Sequence, residues 1–140
     1  MNDNLATVSA IYEAFGKGDV PTILSHLSEE VAWESWADNW AQKAGVPWMA
    51  PRQGRQGTLE FFKIIGEFQF KDFQVLSLMA GDNQVAAEVV SEANVPSTGS
   101  HFREEEMHLW TFDSSGQVVR FRHYLDTAKH IAVASGRAAT

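Results

Sequence analysis

The chain has 140 residues, enough for one domain with a real core and too few for two comfortable ones. Apolar residues make up 44% and charged residues 21%, which excludes a disordered or fibrous chain, and no apolar stretch reaches the length of a membrane span. A formal charge of -7, with 11 Lys and Arg that form no stripe, argues against nucleic acid as a partner; with no cysteine there is neither disulfide nor thiol nucleophile.

Met1-Asn2-Asp3-Asn4 lacks the basic start and apolar centre of a secretory signal, so a cytoplasmic protein with no membrane partner is expected, as one domain over residues 1–140. Leu5, Val8, Ile11, Tyr12 and Phe15 recur at helical spacing and stop at Gly16 and Gly18. Asp19 then caps a second helix, with Pro21 in its first turn and Val20, Ile23, Leu24 and Leu27 on its buried side. Residues 31–36 alternate as a short strand.

From Ala37 to Gln56 the pattern dissolves among Gly45, Pro47, Pro51 and Gly54, a segment long enough to cover a site. Arg52 and Arg55 flank Gly54 as solvated loop charges rather than an anion site. Trp33, Trp36, Trp40 and Trp48 are four of the 5 tryptophans, and two readings stay open: they close the open end of the core, or they line an apolar pocket or a dimer seam. Thr58 is the expected cap of a third helix rich in Phe61, Phe62, Ile64, Ile65 and Phe68. Four strands follow, near 70–79, 84–94, 100–112 and 118–125, and their short turns imply an antiparallel meander. Asp126 or Thr127 caps a last helical segment; for Asp126 that role reads better than catalysis.

Ile11-Tyr12-Glu13-Ala14-Phe15, Gly18-Asp19-Val20 and Val31-Ala32-Trp33-Glu34 resemble the opening of the ketosteroid isomerase and SnoaL-like branch of the nuclear transport factor 2-like superfamily. Val118-Val119 and Arg122-His123-Tyr124-Leu125-Asp126 resemble the terminal hairpin of SnoaL-like and limonene-epoxide-hydrolase-like members. The resemblance implies a cone-shaped α+β fold, with three helices on a curved, mainly antiparallel sheet enclosing one pocket. It also implies a homodimer formed through the outer face of the sheet. By the same resemblance, the first-helix tyrosine that donates to an oxyanion falls at Ile11, and the isomerase's proton-shuttling aspartate falls at Ser35. The second oxyanion donor falls at His108 and the inward acid of the last strand at His123, so neither enzyme's set is reproduced whole.

Alternation puts Glu104, Glu106, His108, Trp110 and Phe112 on one face and Phe121, His123 and Leu125 on another, both inside the cone by the resemblance. If residues 113–116 form a four-residue hairpin loop, His108 faces Phe121 and Glu106 faces His123. The expected catalytic group is therefore His123 oriented by Glu106, with His108 donating to the ligand's oxyanion. The expected ligand-binding residues are Trp33, Ser35, Trp36 and Trp40, together with Phe62, Trp110, Phe121 and Tyr124. On the 84–94 strand, alignment turns Glu88 and Glu92 inward whereas hydrophobicity turns them outward, and that choice stays open. No cofactor and no metal are expected, since His108, His123 and Glu106 carry no ligand motif.

Two functions compete. One is an enzyme of isomerase, cyclase, dehydratase or hydrolase type, doing acid–base chemistry on a small apolar molecule of polyketide, terpenoid or steroid kind. The other is a non-catalytic ligand-binding or dimerisation module, favoured by the loss of the isomerase tyrosine and aspartate.

Overall fold

The computed structural model describes residues 3–34 and 36–137. In α1 (Asp3–Gly16) the three-residue spacing puts Val8, Ile11 and Ala14 on one buried stripe. Asp19 accepts from the Thr22 amide at 3.2 Å and caps α2 (Val20–Ser25), where Pro21 occupies a first-turn position whose N–H has no helical partner anyway. β1 (Leu27–Glu34) buries Leu27, Val31 and Trp33.

The segment expected to be irregular carries structure of its own. It contains α3 (Trp40–Lys43), capped by Asn39, a 3-10 turn at Pro47–Met49, and β2 (Arg52–Gln53), which pairs antiparallel with β1. Burial of Ala41, Val46, Trp48 and Met49 draws it onto the body, a tertiary signal with no local period. The next helix also differs from expectation. α4 (Gly54–Ile65) begins ahead of Thr58, because Gly54 takes φ 76 and turns β2 directly into the helix. Thr58 instead lies buried inside it and donates to the Gly54 carbonyl at 3.0 Å. Arg55 is likewise structural, donating to the Leu27 carbonyl at 2.9 and 2.7 Å.

β3 (Gln69–Ala80), β4 (Gln84–Val95), β5 (Ser100–Phe112) and β6 (Val118–Tyr124) form the expected antiparallel meander. β1 joins β6 in parallel, giving a six-stranded mixed sheet in the order β2-β1-β6-β5-β4-β3. α5 (Thr127–Ala134) follows, with Asp126 as its cap, accepting from the Lys129 amide at 3.1 Å. Among the described residues no helix is long and apolar enough to cross a membrane.

Hydrophobicity decides which face of β4 is inside. Val85, Ala87, Val89 and Ser91 are buried opposite Trp110, His108, Glu106 and Glu104, so Glu88 and Glu92 belong to the outer face. There Glu92 meets Arg103 at 2.9 Å, and Arg103 also reaches Asp72 at 3.1 Å.

The β5–β6 register departs from the expected one while keeping its parity. Asp113 accepts from the amides of Ser115 and Gln117 and so draws Gln117 into the turn; Phe112 consequently pairs with Val118. An irregularity between Thr111 and Phe112 adds a further residue, and His108 faces His123 rather than Phe121. Glu106 is therefore not opposite His123; the last recorded pair toward that end of the ladder is Met107 with Tyr124.

Candidate active site

The inner face of the sheet and helices α1, α2 and α4 enclose a cavity of about 90 Å³. Its wall is mostly aromatic, and the expected Trp33, Phe62, Trp110 and Phe121 all line it. Trp33 stacks on Phe121 with ring centroids 4.1 Å apart and planes at 20°. Tyr12, Phe15, Phe70 and Phe73 line both this cavity and a larger groove of about 710 Å³ between α1, the end of α4 and β3, with Glu13, Lys71 and Asp72 at the groove's edge. The approach to the cavity thus lies between α1 and β3, away from Trp40.

Trp40 is 70% exposed, with the Lys43 ammonium 4.7 Å from its ring centroid, and takes no part in the cavity. Trp36 and Tyr124 stack on each other at 4.9 Å and line an outer cleft with Glu88 and Glu105 that shares Glu106 and Leu125 with the cavity. Ser35 lies outside the described residues. From the tryptophan-rich segment it is Trp48 that reaches the cavity.

One polar chain crosses the aromatic wall. Trp110 Nε1 donates to the Tyr12 hydroxyl at 3.1 Å, that hydroxyl lies 2.6 Å from His108 Nδ1, and His108 Nε2 lies 2.7 Å from Glu106 Oε1. An indole can only donate, whereas a hydroxyl can donate or accept, so the chain has two proton arrangements. With neutral His108 the Tyr12 hydrogen is held on Nδ1 and Nε2–H donates to Glu106. With His108 as imidazolium, Nδ1–H donates to Tyr12, and the hydroxyl hydrogen is free to turn into the cavity. Burial pushes the Tyr12 phenol above its ordinary range, so it stays protonated. Burial alone would raise Glu106, but the hydrogen bond with His108 and the charge of His108 outweigh it and hold the carboxyl at about 2.

His123 differs from the other two cavity histidines. It lines the cavity and is buried, with Phe121 at 5.6 Å and His108 at 6.4 Å between ring centroids. Among the described residues neither of its ring nitrogens has a hydrogen-bond partner. Burial pushes its imidazole down to about 3, so it is neutral and keeps a free lone pair at ordinary pH.

A second buried group escaped the sequence reading. Trp48 Nε1 donates to His130 Nδ1 at 2.8 Å, and His130 Nε2 contacts Glu104 Oε2. Glu104 Oε1 also accepts from the Asp126 amide at 3.2 Å. Tyr12 was legible only as part of an apolar helical stripe, and His130 gave no local sign, because its role depends on α5 docking beside β5. Glu104 shares the strand parity of Glu106, the one sequence signal that pointed to it.

Glu104, Glu106 and His130 each bring one atom of metal-ligand type to within 4.8 Å of the others. The donor from Trp48 occupies the His130 Nδ1 lone pair, so Nε2 carries the hydrogen and offers no lone pair to a cation. The arrangement suits protons rather than a metal ion.

A family model described as a SnoaL-like domain matches residues 8–121. Comparison with curated proteins gives no match. Among solved structures, an NTF2-like protein of unknown function from Burkholderia pseudomallei has a TM-score of 0.79 at 20% identity, covering 96% of this chain and 99% of that one. TerC co-crystallised with polyporic acid has a TM-score of 0.75 at 18% identity, covering 95% and 98%. An LEH-like epoxide hydrolase of M. tuberculosis has a TM-score of 0.69 at 15% identity, covering 96% and 90%. At these identities the structural likeness speaks for the fold alone, while the family match spans most of the sequence. The chain belongs to the SnoaL-like domain family, with the nuclear transport factor 2-like fold.

Proposed function

We propose that this protein is an enzyme that moves protons on a small, largely apolar ring compound bearing a carbonyl or hydroxyl oxygen, in an isomerase, cyclase, dehydratase or hydrolase type of reaction. The observation that carries the reading is His123, a neutral imidazole on the cavity wall with no hydrogen bond among the described residues, beside the Trp110–Tyr12–His108–Glu106 chain. His123 takes a proton from a carbon next to the carbonyl, or from a water, and the ionised Glu106 stabilises the imidazolium that forms. Negative charge then grows on the ligand oxygen, in an apolar enclosure where one aimed donor counts for much. The donor role expected of His108 passes to Tyr12, because both His108 nitrogens are engaged; the phenol hydrogen turns to the ligand in the arrangement where His108 Nδ1–H donates to Tyr12. Return of the proton from His123 to another carbon completes an isomerisation; its return to a leaving hydroxyl completes a dehydration.

The solved neighbours bound to polyporic acid or named as an epoxide hydrolase support a small organic ligand and leave the reaction open. A test that needs no known substrate is hydrogen–deuterium exchange at the carbon next to the carbonyl of small cyclic enones in D2O, followed by proton NMR. The reading expects exchange well above the buffer rate, lost in His123→Gln. Exchange no faster than buffer across the panel, or undiminished in His123→Gln, would leave a binding module as the better description. The homodimer belongs to the same reading. It would cover the outer face of the sheet, where Met79 and Met107 are 48% and 38% exposed, and sedimentation of Met107→Glu would show a shift to monomer.

A further inference from the structure

We propose that Glu104 is a carboxylic acid at neutral pH, holding the one proton that the Glu104–Glu106 pair shares, with His130 and Trp48 as its positioning residues. The side chains of Glu104 and Glu106 are buried, and their nearest oxygens lie within 4.8 Å. Two ionised carboxylates at that distance in a water-poor interior repel strongly, so the pair keeps a proton unless each finds its own cation.

The hydrogen-bond donors decide which carboxylate keeps it. Glu106 faces His108, whose other nitrogen meets the Tyr12 hydroxyl; that hydroxyl can accept, so His108 can become a cation and pair with ionised Glu106. Glu104 faces His130, whose other nitrogen meets the Trp48 indole. An indole cannot accept, so His130 cannot carry hydrogens on both nitrogens while that bond holds, and it gives Glu104 a neutral N–H. Glu106 is thus the ionised member and Glu104 the protonated one. Burial also pushes the Glu104 carboxyl up from its ordinary value, in the same direction.

Among the described residues nothing else facing Glu104 supplies a cation. Across the ladder on β4 stands Ser91, Asp126 contributes its backbone amide, and the Lys129 ammonium is turned to the Arg103 carbonyl at 2.7 Å. His123 on β6 is neutral. Environments that drive two neighbouring carboxyl groups apart assign one as acid and one as base. Glu104 does not line the cavity, so it acts through Glu106 by keeping that group the single anion beside His108 and His123.

The assignment is independent of turnover; only its use in the proton relay rests on the function proposed above. In infrared spectra at neutral pH the wild-type protein should show the carbonyl band of one buried carboxylic acid, absent from Glu104→Gln. The amide keeps the shape and neutrality of the acid but accepts at only one of the two positions met by the Asp126 amide and His130, so Glu104→Gln should lower the melting temperature at neutral pH by only a few degrees. A raised folded-state pKa contributes stability at low pH that is lost as pH rises through it; the wild-type melting temperature should fall relative to that of Glu104→Gln over that range. Trp48→Phe frees His130 Nδ1 to be protonated, and the acid band should weaken as Glu104 ionises against an imidazolium. If the variants do not fold, carbon-13 NMR of glutamate carboxyls in the wild type decides, with one carboxyl still protonated at neutral pH. A fully ionised Glu104, a large loss of stability in folded Glu104→Gln, or zinc or manganese bound stoichiometrically by the wild type and not by Glu104→Gln would overturn the proposal. Loss of enone exchange alone, with the band intact, would count against the catalytic reading and leave this one standing.

Discussion

At the scale of single residues, what a side chain can donate or accept matters more here than what it is. His108, His123 and His130 all line one cavity, yet of the three only His123 has nitrogens that no described residue claims. Tyr12→Phe should therefore act on function and stability together. It strands the Trp110 donor and removes the hydroxyl beside His108 Nδ1, costing about 1–3 kcal/mol by urea unfolding, and it should slow enone exchange by roughly 10²-fold as the oxyanion donor goes. Trp40 and Trp33 give a contrast between residues of one type. Trp40→Ala should change stability by about 0.5 kcal/mol or less and leave ligand affinity alone, because the ring is 70% exposed and outside the cavity. Trp33→Ala, at 3% exposure and stacked on Phe121, should cost about 3–5 kcal/mol. Equal effects of the two substitutions would show that the tryptophan-rich segment packs differently.

At the scale of elements, backbone geometry sets where those side chains arrive. Gly54 has φ 76 and an added Cβ would lie 3.1 Å from the Glu29 carbonyl oxygen, so Gly54→Ala should destabilise by about 1–2 kcal/mol through strain where α4 begins. The helices and strands themselves were legible because Val8 with Ile11, and Glu104 through Phe112, repeat at the periods of buried faces. The pairing of β5 with β6 was not. Counting turn residues could not foresee that the Asp113 carboxylate would capture the Gln117 amide or that Val119 would stand as an extra residue between the partners of Thr111 and Phe112. The shift preserved parity, so His108, His123 and Glu106 still shared the inner face while their partners changed. α3 and the 3-10 turn were invisible for a different reason, since they are held by packing against α5 and α4, which no local period announces. Tyr12 was read as core because a phenol on an apolar stripe looks like any aromatic until its hydroxyl meets a partner from β5.

At the scale of the whole molecule, the buried titratable groups make the fold acid-sensitive. His123 is held down to about 3 from an ordinary 6.5, so the unfolded chain takes up its proton first and stability falls as pH drops through that window, by about 1.4 kcal/mol per unit at most. Glu106, held at about 2, adds stability that is present above the ordinary glutamate range and is lost as pH falls toward that value. His123→Gln should flatten the first loss and keep the second in pH-dependent melting curves. All of this chemistry rests on how the ring nitrogens of three histidines are engaged inside one cavity, which nitrogen-15 NMR of labelled imidazoles reads directly. At neutral pH the spectra should show His130 as a neutral ring with its hydrogen on Nε2, and His123 neutral until close to its depressed pKa; of the three, only His123 should change tautomer or gain a hydrogen bond when a small phenol is added. A charged His123 at neutral pH, or one indifferent to every cavity ligand while His130 responds, would contradict the assignment of His123 as the group that exchanges protons with the ligand.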